Sequence, residues 1–135
     1  MKKNQLFLVI AAFVFVLSSC EKDDPIGIWG DIIKLSSNSA EMKASTDSVS
    51  FSTEGTWWWV TDIVVGDSTY YRFENIDLEG YNYSIQVGDV VVERRDTTTL
   101  FIKAGANTTG AVRKISVGLE AGDYFDRVHI QQKTE

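Results

Sequence analysis

Beyond residue 20, no stretch of this chain keeps an apolar period near 3.6 for three turns, which argues against a helical core. Short runs that alternate apolar and polar residues take its place, each closed by Gly, Asp, Asn or Ser, as in an all-β domain. Ser48–Thr53 alternates cleanly, with Val49 and Phe51 expected inward. Tyr81, Tyr83, Ile85 and Val87 share one face, and Gly88-Asp89 turns the chain directly into Val90–Glu93. Arg94–Thr97 is the next break. Leu100, Ile102 and Ala104 then alternate, as do Ile115, Val117 and Leu119. Tyr124–Gln132 places Val128 and Ile130 inward, with Arg127, His129 and Gln131 outward.

Other stretches are less regular. Ile28–Leu35 is expected as a first edge strand, with Trp29, Ile32 and Ile33 as its apolar content. Ser36–Thr46 is polar and turn-rich, with one helical turn possible over Ala40–Ala44. Thr69–Glu74 is expected as a strand with Tyr71 and Phe73 on one side, Tyr70 and Arg72 on the other. Seven or eight such strands in about a hundred residues predict an all-β, two-sheet antiparallel sandwich; a partly open barrel is the structural alternative.

The N-terminus has a different character. Lys2 and Lys3 precede an apolar run from Leu6 to Leu17, and Leu17-Ser18-Ser19-Cys20 closes it. This is the layout of a secretory signal peptide, with an apolar run short for a membrane span. Its end resembles the lipobox of bacterial lipoproteins, in which the cysteine is acylated and becomes the first mature residue. Cys20 is the single cysteine, so no internal disulfide competes for it. Glu21-Lys22-Asp23-Asp24 resembles the acid-rich export tag that carries Bacteroidetes lipoproteins to the outer leaflet of the outer membrane. The expected organisation is a signal peptide over 1–19, an acylated cysteine and tether over 20–30 containing the sole proline, Pro25, and one domain over 31–135.

All nineteen acidic residues follow the signal, against eleven of the thirteen basic ones, an excess of eight negative charges in the mature part. Such a surface is unsuited to nucleic acid, which needs clustered Lys and Arg. The adjacent basic pairs Arg94-Arg95 and Arg113-Lys114 are too small to reverse it.

The C-terminal third resembles BACON-type domains, immunoglobulin-like β-sandwich modules of Bacteroidetes surface proteins. The loop Ala106-Asn107-Thr108-Thr109-Gly110-Ala111-Val112-Arg113, the strand Ile115–Leu119 and the closing Val128-His129-Ile130-Gln131 carry the likeness. Upstream, Val49–Gly55 looks like that family's opening strand and acidic-glycine turn. The likeness implies an immunoglobulin-like sandwich and a suggested role in carbohydrate or mucin binding. Where the family has a mid-domain Trp-x-x-Val segment, this chain has Tyr81 and Tyr83. Asn107, Gly110, Arg113 and Gln131 are expected to be structural: a turn and braces on strand surfaces.

Catalytic chemistry is not expected. His129 is the single histidine, on an outward strand position, and no second cysteine exists to build a zinc site with it. The acids Asp62, Glu74, Asp77 and Glu93 could approach one another in space as a hydrolytic pair, yet each lies beside a turn or on a solvent face, where acids occur anyway. No EF-hand loop or phosphate-cradling glycine motif is present, so no cofactor or metal is expected. The aromatic residues are the functional lead, because Trp and Tyr rings stack on sugars and anchor protein interfaces.

Trp57-Trp58-Trp59-Val60-Thr61-Asp62-Ile63-Val64-Val65 is apolar on both faces. Strict alternation groups Trp57, Trp59, Ile63 and Val65 on one side and Trp58, Val60 and Val64 on the other. With Trp57 and Trp59 in the core, Trp58 is the expected ligand-binding ring, followed by Tyr70 with Arg72 as polar companion; in the opposite phase, Trp57 and Trp59 are the exposed pair. The expected partners are a lipid bilayer through Cys20 and either a glycan or another outer-membrane protein; a spacer without ligand is the third possibility. Asp47-Ser48-Val49 also resembles an acceptor for bacterial O-glycosylation at Ser48.

Overall fold

A computed structural model describes residues 29–135. The signal segment, Cys20 and the tag Glu21, Lys22, Asp23 and Asp24 lie outside the described residues. The described chain is all-β: β1 (Ser39–Met42), β2 (Asp47–Ser52), β3 (Trp59–Val65), β4 (Ser68–Tyr70), β5 (Tyr83–Val87), β6 (Val90–Arg95), β7 (Thr99–Ala104), β8 (Arg113–Ala121) and β9 (Tyr124–Gln132). One sheet has the order β1-β9-β8-β3-β4 and the other β2-β7-β6-β5. Inward residues of both sheets form a single apolar cluster, including Val60, Ile63, Val117 and Ile130 from the first and Phe51, Val92, Leu100 and Ile102 from the second. This is a two-sheet, sandwich-like arrangement.

The strand number is nine rather than seven or eight, and the pairing is not purely antiparallel. Ser39–Met42 is a strand, not a helical turn, and pairs parallel with β9, Ser39 opposite His129 and Met42 opposite Gln132. Its polar residues alternate with Ala40 and the buried Met42, too short a pattern to read without its partner. The expected first strand over 28–35 is replaced by an irregular segment; within its described residues only Leu35 bridges, to Thr53. Ile33 in that segment is nonetheless fully buried. It lies so close to residue 55 that a Cβ on Gly55 would collide with the Ile32 carbonyl oxygen, so glycine is required there.

Three hairpins turn on Gly-Asp pairs: β3–β4, β5–β6 and β8–β9. At Gly122 φ is +60°, the left-handed value that the first position of a tight type II′ turn needs. The strand expected over 69–74 ends at Tyr70, and β6 runs past Glu93 to Arg95.

β3 carries the main irregularity. Trp59 and Val60 pair with Glu120 and Leu119, but the next pair is Asp62 with Gly118, so Thr61 is an extra residue. A β-bulge of this kind reverses which face the following residues point to. Both Val60 and Ile63 are therefore buried, three residues apart.

Across the sandwich, the Tyr83 hydroxyl accepts a hydrogen bond from the Val60 amide at 3.0 Å. Burial, above all, pushes the Tyr83 phenol up from its ordinary 10.0. A raised phenol favours the protonated folded state, so its stabilisation is complete below the ordinary value and lost as pH rises through the folded one. Urea unfolding repeated from neutral pH upward is expected to show this alkaline loss. Tyr83→Phe should flatten that limb, with the remainder due to Tyr124, whose phenol is also raised. The same substitution strips the Val60 amide of its acceptor and should cost ~1–3 kcal/mol at neutral pH.

Candidate functional site

The bulge decides which tryptophan meets solvent. Trp58 is fully buried, and its indole Nε1 donates to Thr53 Oγ1 at 3.0 Å. This corrects the expectation that Trp58 is the exposed ring. Counting back from Ile63 in strict twos puts Trp57 and Trp59 inside; the extra residue at Thr61 moves Trp58 there in their place.

The Arg94 guanidinium lies against the buried ring, 4.2 Å from the Trp58 centroid and 5.0 Å from that of Tyr81. Arg94 is 2% exposed. It donates to the backbone carbonyls of Trp58, Thr56 (2.6 Å), Thr97 (3.2 Å) and Gly80 (3.3 Å). Burial lowers its pKa, though arginine retains its proton in proteins.

Outside, Trp57 is 54% exposed and Trp29 42%. The Trp29 and Trp57 centroids are 5.9 Å apart with planes tilted by 41°, and Trp57 meets Trp59 edge-on at 5.6 Å. Trp29 packs on the β8–β9 turn, where a Cβ on Gly122 would lie 2.7 Å from its ring. Register extends the surface. Trp59 pairs with Glu120 and Glu120 with Phe125, so these three side chains share the outer face, and Phe125 is 65% exposed. Beneath this edge, burial and then the Asp126 and Asp31 carboxylates push the Tyr124 phenol up.

The other expected residues do not join this surface. Tyr70 is 40% exposed on the short edge strand β4, opposite Ile63. Arg72 is exposed but lies over the Tyr71 ring, 5.8 Å from its centroid, rather than beside Tyr70. Ser48 is exposed on β2. Asn107 is buried and knits its loop to the C-terminus, donating to the carbonyls of Ala111 (2.7 Å), Gln132 (3.2 Å) and Lys133 (3.0 Å). Arg113 joins Gln132 Oε1 (2.9 Å), Asp89 (2.9 Å) and the Gly105 carbonyl (2.9 Å).

Next to the aromatic end lies a pair that the sequence reading missed: Asp62 and Arg127, 2.7 Å apart on the outer face. A mid-strand glycine, Gly118, sits between them in register, and that glycine was the available signal. Among the described residues, no group of three His, Cys, Asp or Glu side chains is placed to hold a metal.

No family model matches the chain, and no curated protein matches it. Among solved structures it is similar to a protein from Bacteroides thetaiotaomicron determined by NMR. The TM-score is 0.63 over 86% of this chain and 98% of that one, at 23% sequence identity. That likeness shows the fold.

Trp58 and Arg94 are structural by these contacts. Trp58→Ala should destabilise by ~3–5 kcal/mol, and Arg94→Met, which strands buried carbonyls, by ~3 kcal/mol or more. Because each removes the other's partner, the double variant should lose ~1–3 kcal/mol less than the sum. Urea unfolding of the four proteins checks this cycle.

Proposed function

We propose that this is a non-catalytic, lipid-anchored cell-surface protein that binds a glycan on the tryptophan surface formed by Trp29, Trp57 and Trp59. The observation that carries the reading is the exposure of these neighbouring rings on a well-packed domain. Two indoles that remain 42% and 54% exposed leave apolar area in water, which a binding surface accounts for and a core does not. Tilted rings at the end of a sheet offer flat, weakly polar faces to the C-H faces of pyranose rings, while Glu120 beside them supplies a hydrogen-bonding group. A pure spacer gives no reason to keep Trp57 in solvent.

The remainder of the reading rests on sequence. The immunoglobulin-like, BACON-type placement is supported by the loop 106–113 and the two strands after it. The lipid anchor at Cys20, the export tag and an outer-membrane location facing the exterior rest on residues 1–24. The bilayer is then one partner and the glycan the other, with no nucleic acid, cofactor or metal.

The test is a screen of the full chain, solubilised in detergent, against neutral and mucin-type polysaccharides by calorimetry. Trp57→Ala should weaken any binding by about tenfold or more, as removal of a central aromatic contact does. Its unfolding midpoint should be nearly unchanged, because the ring lies outside the core. If binding is unaffected, the tryptophan surface is not the site. If no glycan binds but an outer-membrane protein co-purifies and is lost with Trp57→Ala, the same surface serves a protein partner.

A further inference from the structure

The outer face of the five-stranded sheet has a depression immediately beside the aromatic row. Asp62 on β3, Gly118 on β8 and Arg127 on β9 are consecutive in register across three strands. Neighbouring strands lie about 4.8 Å apart. The two charged side chains therefore reach toward each other across the central strand and meet above Gly118. Arg127 Nη2 donates to both Asp62 oxygens, at 2.7 and 2.8 Å. Thr61 Oγ1 donates to Asp62 Oδ1 at 3.0 Å, and Arg127 Nη1 donates to Ser116 Oγ at 3.1 Å.

The pair is placed at a structural disadvantage. A glycine in mid-strand weakens a sheet, and a partly exposed ion pair returns little stability. Yet a Cβ at position 118 would collide with Asp62 Oδ1, and would lie 2.6 Å from Thr61 Oγ1 and 2.9 Å from Arg127 Nη2. The missing side chain is what lets the pair lie flat. The pair is also only partly used. One nitrogen serves both carboxylate oxygens instead of the two-nitrogen fork, which leaves other guanidinium N–H groups and acceptor capacity on Oδ2 free. The side chains are 35% exposed for Arg127 and 18% for Asp62, held in place and still reachable.

We propose that this depression is the polar half of the glycan site, where Asp62 accepts a hydrogen bond from one hydroxyl of an uncharged hexose unit and Arg127 donates to the adjacent hydroxyl. This rests on the glycan reading of the tryptophan surface and specifies the ligand class. The depression encloses about 590 Å³, within the range of small-ligand sites. Its lining includes Phe125, two residues from Arg127 on the same face and so about 7 Å away along the strand. A sugar with its ring against Phe125 thus has its hydroxyls at the Asp62–Arg127 pair. The charge of the lining selects against acidic sugars. On this outer face Asp62 and Glu120 outnumber Arg127, the one permanent cation of the lining among the described residues, so a uronate, sulfate or sialate meets net repulsion.

The test compares wild type, Trp57→Ala, Asp62→Asn and Gly118→Ala, as full chains, on laminarin, yeast mannan, galactomannan, polygalacturonate and chondroitin sulfate. The wild type should bind at least one of the neutral polysaccharides and neither anionic one more tightly. Asp62→Asn and Gly118→Ala should each weaken neutral binding at least fivefold with the unfolding midpoint retained. Asp62→Asn should also raise affinity for the anionic pair relative to the neutral ones, which a purely structural role would not do. Loss of binding in Trp57→Ala, with both groove variants unchanged, would overturn the groove and leave the tryptophan surface standing. Preference of the wild type for an anionic polysaccharide would likewise overturn it. No binding to any of the five would overturn this proposal and its parent reading for these ligands together.

Discussion

The contact between the buried Arg94 guanidinium and the Trp58 ring holds one end of the sandwich together. Among the described residues, Arg94 has no carboxylate hydrogen-bond partner; its charge is spread over the carbonyl dipoles of Thr56, Trp58, Gly80 and Thr97. Those carbonyls belong to three separate turns, before β3, before β5 and before β7. A cation taken out of water is tolerable only when its donors are nearly all used, and here Nε is the buried side-chain atom left without a partner. The Trp58 and Tyr81 rings both lie against the charge. The same contact positions the surface. Thr56 and Trp58, whose carbonyls Arg94 grips, flank Trp57, so the exposed indole projects from a backbone fixed on both sides.

The alternating strands and Gly-Asp turns were readable because each is a local pattern: five or six residues suffice to show it, and the turn chemistry follows from the φ that glycine alone adopts cheaply. The all-β class and most of the late strands rest on such patterns. The bulge at Thr61 is different. Nothing in Val60-Thr61-Asp62 marks an extra residue, because the register is set by the distant strand β8, and a single insertion inverts every inference about faces upstream. The choice of tryptophan failed there. β1 was hidden for a related reason: its stabilising pairing is parallel and with the last strand, so no neighbouring turn or hairpin announces it.

Arg94 and Arg127 show a second limit. Neither has a partner in the sequence reading, which puts Arg94 in a break between strands and Arg127 on an outward face, and bare arginines are mostly exposed. What makes one buried and the other a partner to Asp62 lies across the sheets, in rings and carbonyls contributed by distant segments. Gly118 was the visible trace. In an otherwise regular run of Ile115, Val117 and Leu119, a glycine on the opposite face has no turn to serve, and space for a neighbour is the remaining physical reason for it.

The site gains rigidity from where it is built. β8 and β9 pair along all nine residues of each strand, and Gly118, Glu120, Phe125 and Arg127 all lie on this hairpin. β3 adds Trp59 and Asp62 along its own ladder with β8, and the Gly122 turn seats Trp29. Side chains carried on paired strands have little backbone freedom to lose when a ligand arrives, so less of the contact energy goes into ordering. Closing a jaw around a ligand would require breaking ladder hydrogen bonds at the centre of the larger sheet, the most cooperative part of the fold. A surface of this kind therefore discriminates by fixed shape and charge. Its flat rings, its held carboxylate–guanidinium pair and its acidic surroundings are all set before a ligand binds.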